Sequence, residues 1–153
     1  MIDPVSTALR RYADRGVFRG FRATPGPRGR VDFTFLWLLR RPMLASFDAR
    51  RGVLAFPALF PDVIAGSPLV AELNAVVASR SHRDQPSHKR LDARRARVRS
   101  ALRKGAWSLT FEIRGANHAY TVSHALNVIN ELYLALHSHY PEYLVEHFGL
   151  STE

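Results

Sequence analysis

The chain has no cysteine. Disulfides, zinc–thiolate sites, iron–sulfur clusters and cysteine nucleophiles are therefore excluded, and a reducing cytoplasm is the expected location. Long hydrophobic runs are also missing: the densest, from Phe33 to Leu39, is seven residues long and includes Thr34. A membrane helix needs about 20 apolar residues, so neither a span nor a membrane partner is expected. The opening MIDPVSTALRRYADRG has neither the apolar stretch nor the small-residue cleavage site of a secretory signal. Lysine is scarce, with only Lys89 and Lys104 beside 20 arginines. GC-rich coding produces such a skew by itself, so the abundance of arginine alone does not imply binding.

What remains is an ordinary complement for one folded unit. The 153 residues are 46% hydrophobic and 23% charged, as expected of a single globular domain spanning 1–153. The 22 basic and 13 acidic side chains leave a net charge of +9. That excess is concentrated: residues 80–104 carry ten basic and two acidic groups, whereas residues 105–153 carry one basic and five acidic groups. Such polarity creates a local positive field that attracts phosphates or acidic partners.

Asp3 and Pro4 have the form of a helix start, and Gly16 ends the segment. Residues 16–24 and 31–39 read as strands, joined by the turn-forming PGPRG at 25–29. Residues 43–48 and 53–60 make a second hairpin around the turn at 49–52. Ser67 and Pro68 open a helix carrying Leu69, Leu73, Val76 and Val77, and the polar stretch 80–90 follows as a loop. Residues 107–115 alternate cleanly as a strand. A long helix is expected over 118–138, apolar on more than one side, and a short one starts at Pro141.

Residues 92–104 admit two readings. As a helix, Asp92 is the cap, Gly105 the stop, and Leu91, Val98 and Leu102 share a stripe. As a strand, Ala96, Val98, Ser100 and Leu102 alternate with arginines. Capping at both ends favours the helix. The expected fold is α+β: an antiparallel sheet of about five strands, helices on one face, a long C-terminal helix, and a basic loop or helix inserted at about 80–105. In element order the chain resembles the small dimeric α+β folds of secretion chaperones and related bacterial interaction domains. That resemblance implies protein association; the strong basicity departs from those chaperones, which are typically acidic.

Catalytic patterns are missing. No HExxH or GxSxG occurs, and ATPGPRGR at 23–30 lacks the G-K-[ST] of a phosphate loop. His124, Asn127 and Glu131 share one helical face, but asparagine is a poor transition-metal ligand, so neither metal nor cofactor is expected. In an extended PSHKRLD segment, His88, Arg90 and Asp92 project to one side and could form a polar acid–base site. The simpler reading pairs Arg90 with Asp92 and uses Leu91 as a staple.

These features point to a non-enzymatic protein-interaction module, homodimeric or bound to another protein, with the multi-sided helix and the sheet aromatics as its motivation. The alternative is nucleic-acid or polyanion binding through Lys89, Arg90, Arg94, Arg95, Arg97, Arg99 and Arg103; an acidic protein partner also fits this charge. Residues 80–104 hold no aromatic side chain for base stacking, so nucleic-acid contact would be directed at the backbone and depend strongly on salt. A small-molecule enzyme using His88, Arg90 or His124 is a third possibility.

Overall fold

Asp3 begins the first helix, accepting the Ser6 amide at 2.7 Å on one carboxylate oxygen and the Ser6 hydroxyl on the other. From there the computed structural model describes residues 3–38, 41–82, 85–86 and 89–149. The elements are α1 (Pro4–Asp14), β1 (Arg19–Pro25), β2 (Arg30–Leu36), β3 (Met43–Asp48), β4 (Val53–Phe60), α2 (Pro68–Ser79), β5 (Ala96–Arg103), β6 (Ala106–Ile113), α3 (His118–His139) and α4 (Pro141–Phe148). The strands form one antiparallel sheet in the order β1-β2-β3-β4-β6-β5, so β1 and β5 are its edges. The class is α+β, with six strands where about five were expected.

Alternation sorts the side chains. Phe33 and Phe35 of β2, Met43, Ala45 and Phe47 of β3, and Trp107, Leu109 and Phe111 of β6 are buried beneath the helices. Their neighbours Asp32, Thr34, Ser46, Thr110 and Glu112 lie on the other face of the sheet. Helix α3 roofs the inner face with Val122, Ala125, Ile129, Leu132 and Leu136. Its flanks meet α1, α2 and α4. This explains why it is apolar on several sides: Val128, off the main stripe, is buried, whereas Leu134 stays 57% exposed.

The helix favoured for 92–104 by its end signals is not formed; residues 96–103 are strand β5. Both signals are used locally. The Asp92 carboxylate accepts the Arg94 amide at 2.9 Å, and its carbonyl accepts the Arg95 and Ala96 amides, closing a single turn. Lys104 and Gly105, both at positive φ (51° and 76°), make the two-residue hairpin turn into β6. Eight residue pairs from Ala96↔Ile113 to Arg103↔Ala106 then hold the hairpin in register.

Strand β4 runs past Pro57 by means of a bulge. The register against β6 shifts between Phe56 and Phe60, Ala58 takes a φ of 49°, and its amide is satisfied by the Ser108 hydroxyl at 3.0 Å. The irregularity leaves Leu59 and Phe60 both buried.

One polar clamp ties α2 to the β5–β6 hairpin. The Asn74 carbonyl oxygen accepts the Trp107 indole N–H at 3.0 Å and the Ser100 hydroxyl at 2.9 Å. Trp107 is only 1% exposed, so its N–H has no other outlet. Asn74→Ala is expected to lower unfolding free energy by about 1–3 kcal/mol, the cost of a buried donor without a partner, as read from urea denaturation.

Candidate polyanion interface

Helix α2 ends in an arginine that turns inward. Arg80 is 1% exposed, the only buried cationic side chain among the described residues. Its Nη2 donates to Asn127 Oδ1 at 2.8 Å, and Nη1 lies 3.3 Å from Glu131 Oε1 and donates to the Lys89 carbonyl at 3.4 Å. The Arg80 carbonyl accepts the Leu91 amide at 2.8 Å, and Leu91 is buried. Thus Asn127 and Glu131, which share the metal-like helical face with His124, hold a guanidinium. Arg80 does not stand out in the sequence. The usable signal is a basic residue closing an apolar helix, matched by an amide and a carboxylate four residues apart on another.

Anchored in this way, the following chain presents its cations outward. Tyr120 of α3 organises the turn before β5: its hydroxyl accepts the Asp92 amide at 2.9 Å and lies 3.5 Å from the Arg90 carbonyl. The Arg95 guanidinium stacks on the Tyr120 ring at 3.7 Å and donates through Nε to Asn117 at 3.0 Å. Arg90 is half-buried and donates to the Gln85 carbonyl at 3.1 Å. Arg94 is exposed and pairs with Asp92. The Arg94 amide bound to its carboxylate holds Asp92 below the ordinary carboxyl range. Arg90, Arg94 and Arg95, with Asp92, Ser81 and Tyr120, line a hollow of about 390 Å³.

Strand β5 continues this surface. Arg97, Arg99 and Arg103 are exposed on the side of the strand opposite Ala96, Val98 and Leu102. Successive outward positions on a strand are about 6.8 Å apart, so the arginines form a comb along the sheet edge. Arg99 lies 3.3 Å from Glu112 on β6, whereas Arg97 and Arg103 have no carboxylate partner among the described residues. Lys89 is exposed; its amide donates to the Pro86 carbonyl at 2.9 Å and its own carbonyl accepts from Arg80. The structure therefore gathers Arg90, Arg94 and Arg95 around one hollow and strings Arg97, Arg99 and Arg103 along the adjoining edge.

Of the polar trio His88, Arg90 and Asp92, His88 lies outside the described residues. The Asp92 carboxylate engages Arg94, and the Arg90 guanidinium reaches the Gln85 carbonyl. His124 packs on Tyr120 with ring centroids 4.2 Å apart. Burial, assisted by the charges of Arg80 and Arg95, lowers its pKa below the ordinary 6.5. Among the described residues no group of three histidines or carboxylates gathers as a metal site, and no helix is long and apolar enough to cross a membrane. No known family model, curated protein or solved structure matches the chain.

Two measurements probe this anchor. Arg80→Ala is expected to cost about 1–3 kcal/mol in urea denaturation, chiefly from the lost packing of its buried stem and the lost tie between α2 and α3, since Asn127 is exposed and Glu131 partly so and both can be hydrated. His124 takes up a proton less readily in the folded state than in the unfolded chain. Its contribution is therefore intact above its unfolded pKa and lost as pH falls below it. His124→Gln is expected to reduce the drop in urea midpoint between about pH 7 and about pH 5.

Proposed function

We propose that this protein is a binding module that holds the phosphate backbone of nucleic acid along its β5 edge. The observation that carries the reading is the direction of the arginines. Arg97, Arg99 and Arg103 face away from the core on an edge strand, and they continue the cationic hollow formed by Arg90, Arg94 and Arg95. A guanidinium fork matches phosphate oxygens in a bidentate way; Arg97 and Arg103, exposed and without a carboxylate partner among the described residues, keep that capacity free, whereas Arg99 shares it with Glu112 and Arg94 with Asp92.

The chemistry of the outer sheet face limits the mode of contact. The large aromatics Phe33, Phe35, Phe47, Phe56, Trp107 and Phe111 are buried on the other face, beneath the helices. Small side chains such as Ser46, Ala55 and Thr110 occupy the outer centre of the sheet. Without aromatic platforms there, bases have nothing to stack on. Binding is then backbone-directed, indifferent to sequence and steeply salt-dependent. The sheet aromatics and the many-sided apolar surface of α3, which favoured protein association in the sequence, are taken up within the chain itself.

The test is retention of random-sequence DNA and RNA across a salt series. The chain is expected to bind at low salt, and Arg97→Ala with Arg99→Ala to reduce the slope of log K against log salt by about 1–2, near 0.9 for each phosphate that is no longer neutralised, with Arg99 contributing less because Glu112 shares its charge. No retention at low salt, or an unchanged slope in the double variant, would overturn the reading.

A further inference from the structure

At the end of the molecule marked by the β5–β6 turn, a groove of about 510 Å³ opens between the start of α2 and the α3–α4 corner. Its apolar surface comes from Ile64, Leu69, Tyr140 and Tyr143, and Ile64 is 75% exposed. Its rim carries Asp62, Glu142 and Glu146. Five described carboxylates elsewhere meet arginine: Asp32 with Arg30, Asp48 with Arg51, Asp92 with Arg94, Glu112 with Arg99 and Glu131 with Arg80. Here the pattern changes. Asp62 has only His147, at 3.5 Å, and neither Glu142 nor Glu146 has an ion pair among the described residues. His139 and His147 also line the groove, held by Glu72 and Asp62 respectively, so Glu142 and Glu146 leave it a negative recess on a molecule of net charge +9.

A positive projection lies beside it. The Gly105 carbonyl accepts the Val63 amide at 2.7 Å, which fastens the β5–β6 turn between Asp62 and Ile64. Lys104 at the tip of that turn and Arg103 next to it are both exposed. Projection and recess are therefore contiguous, with Ile64 at their boundary. A two-fold interface requires a self-complementary patch, and adjacent halves of opposite charge satisfy that requirement.

We infer that the groove receives the Arg103–Lys104 turn of a second copy, forming a two-fold symmetric dimer with reciprocal turn-in-groove contacts and Ile64 near the axis. The turn supplies the cations that Glu142 and Glu146 lack, and burying Ile64 removes the most exposed large apolar side chain of the described residues from water. This interface shares Arg103 with the cationic edge but uses neither Arg97 nor Arg99, so it does not rest on the nucleic-acid reading.

Light scattering across micromolar concentrations tests it. The mass is expected to rise from 17.3 kDa toward twice that value, and high salt should weaken the dimer. Ile64→Asp, Lys104→Glu, and Glu142→Lys combined with Glu146→Lys should each weaken association at least about tenfold. Mixing the Lys104→Glu chain with the Glu142→Lys/Glu146→Lys chain should restore a dimer through one swapped contact, a result that misfolded variants could not give. Arg97→Ala with Arg99→Ala should leave the mass unchanged while altering nucleic-acid retention. A mass of 17.3 kDa at every concentration, a dimer unaffected by these variants, or a groove that binds an oligo-arginine peptide while the chain remains monomeric would each overturn the inference.

Discussion

One-sided burial governs this molecule. All four helices lie against a single face of the sheet, so each strand must place every second residue in the core and the residue between on the outside. Burying one phenylalanine or leucine side chain contributes about 1.5–3 kcal/mol; β2 and β6 each bury two and β4 buries four. Strand β5 inherits this constraint through its pairing with β6. A slip of one residue would aim Arg97, Arg99 and Arg103 at the α2 side and push Val98 and Leu102 into water. The outward comb thus follows from what the opposite side of the strand must bury.

Arg80 shows the other way an arginine can be accommodated. Its position at the end of α2 places the guanidinium between that helix and α3, where water is excluded. Such a group is tolerated only when its charge and donors are met, and Glu131, Asn127 and the Lys89 carbonyl meet most of them. The anchored backbone then delivers Leu91 to the core and Asp92 to Tyr120. A buried cation on one side of the turn and a row of exposed cations on the other are parts of one arrangement: the first holds the chain from which the second is displayed.

Most elements were legible because their patterns were local. The β1–β2 hairpin followed from alternation around PGPRG, α2 from Ser67 and Pro68, and α3 from its apolar stripes. Strand β5 was not, since a cap-like Asp92 and a stop-like Gly105 also suit a short turn and a hairpin. What decides between these is contact with β6, which no window over 92–104 contains. The candidate site was legible as composition: the arginines from Arg90 to Arg103 stood out, but their direction depended on the strand. Arg80 escaped notice because its partners lie 47 and 51 residues away on another helix, and only folding brings Asn127 and Glu131 to it. The negative groove was equally hidden, assembled from the β4–α2 connection and α4.

The two edges of the sheet have a further consequence. An edge strand offers unpaired amides and carbonyls to any other extended chain, including copies of itself. Strand β5 meets such an approach with Arg97, Arg99 and Arg103, so two β5 edges brought together would oppose like charges. Strand β1 interposes Arg19 and Arg22, a left-handed Gly20 and a register break before Pro25. Both margins are thus poor templates for ladder extension, which matters in a chain whose core is this rich in phenylalanine.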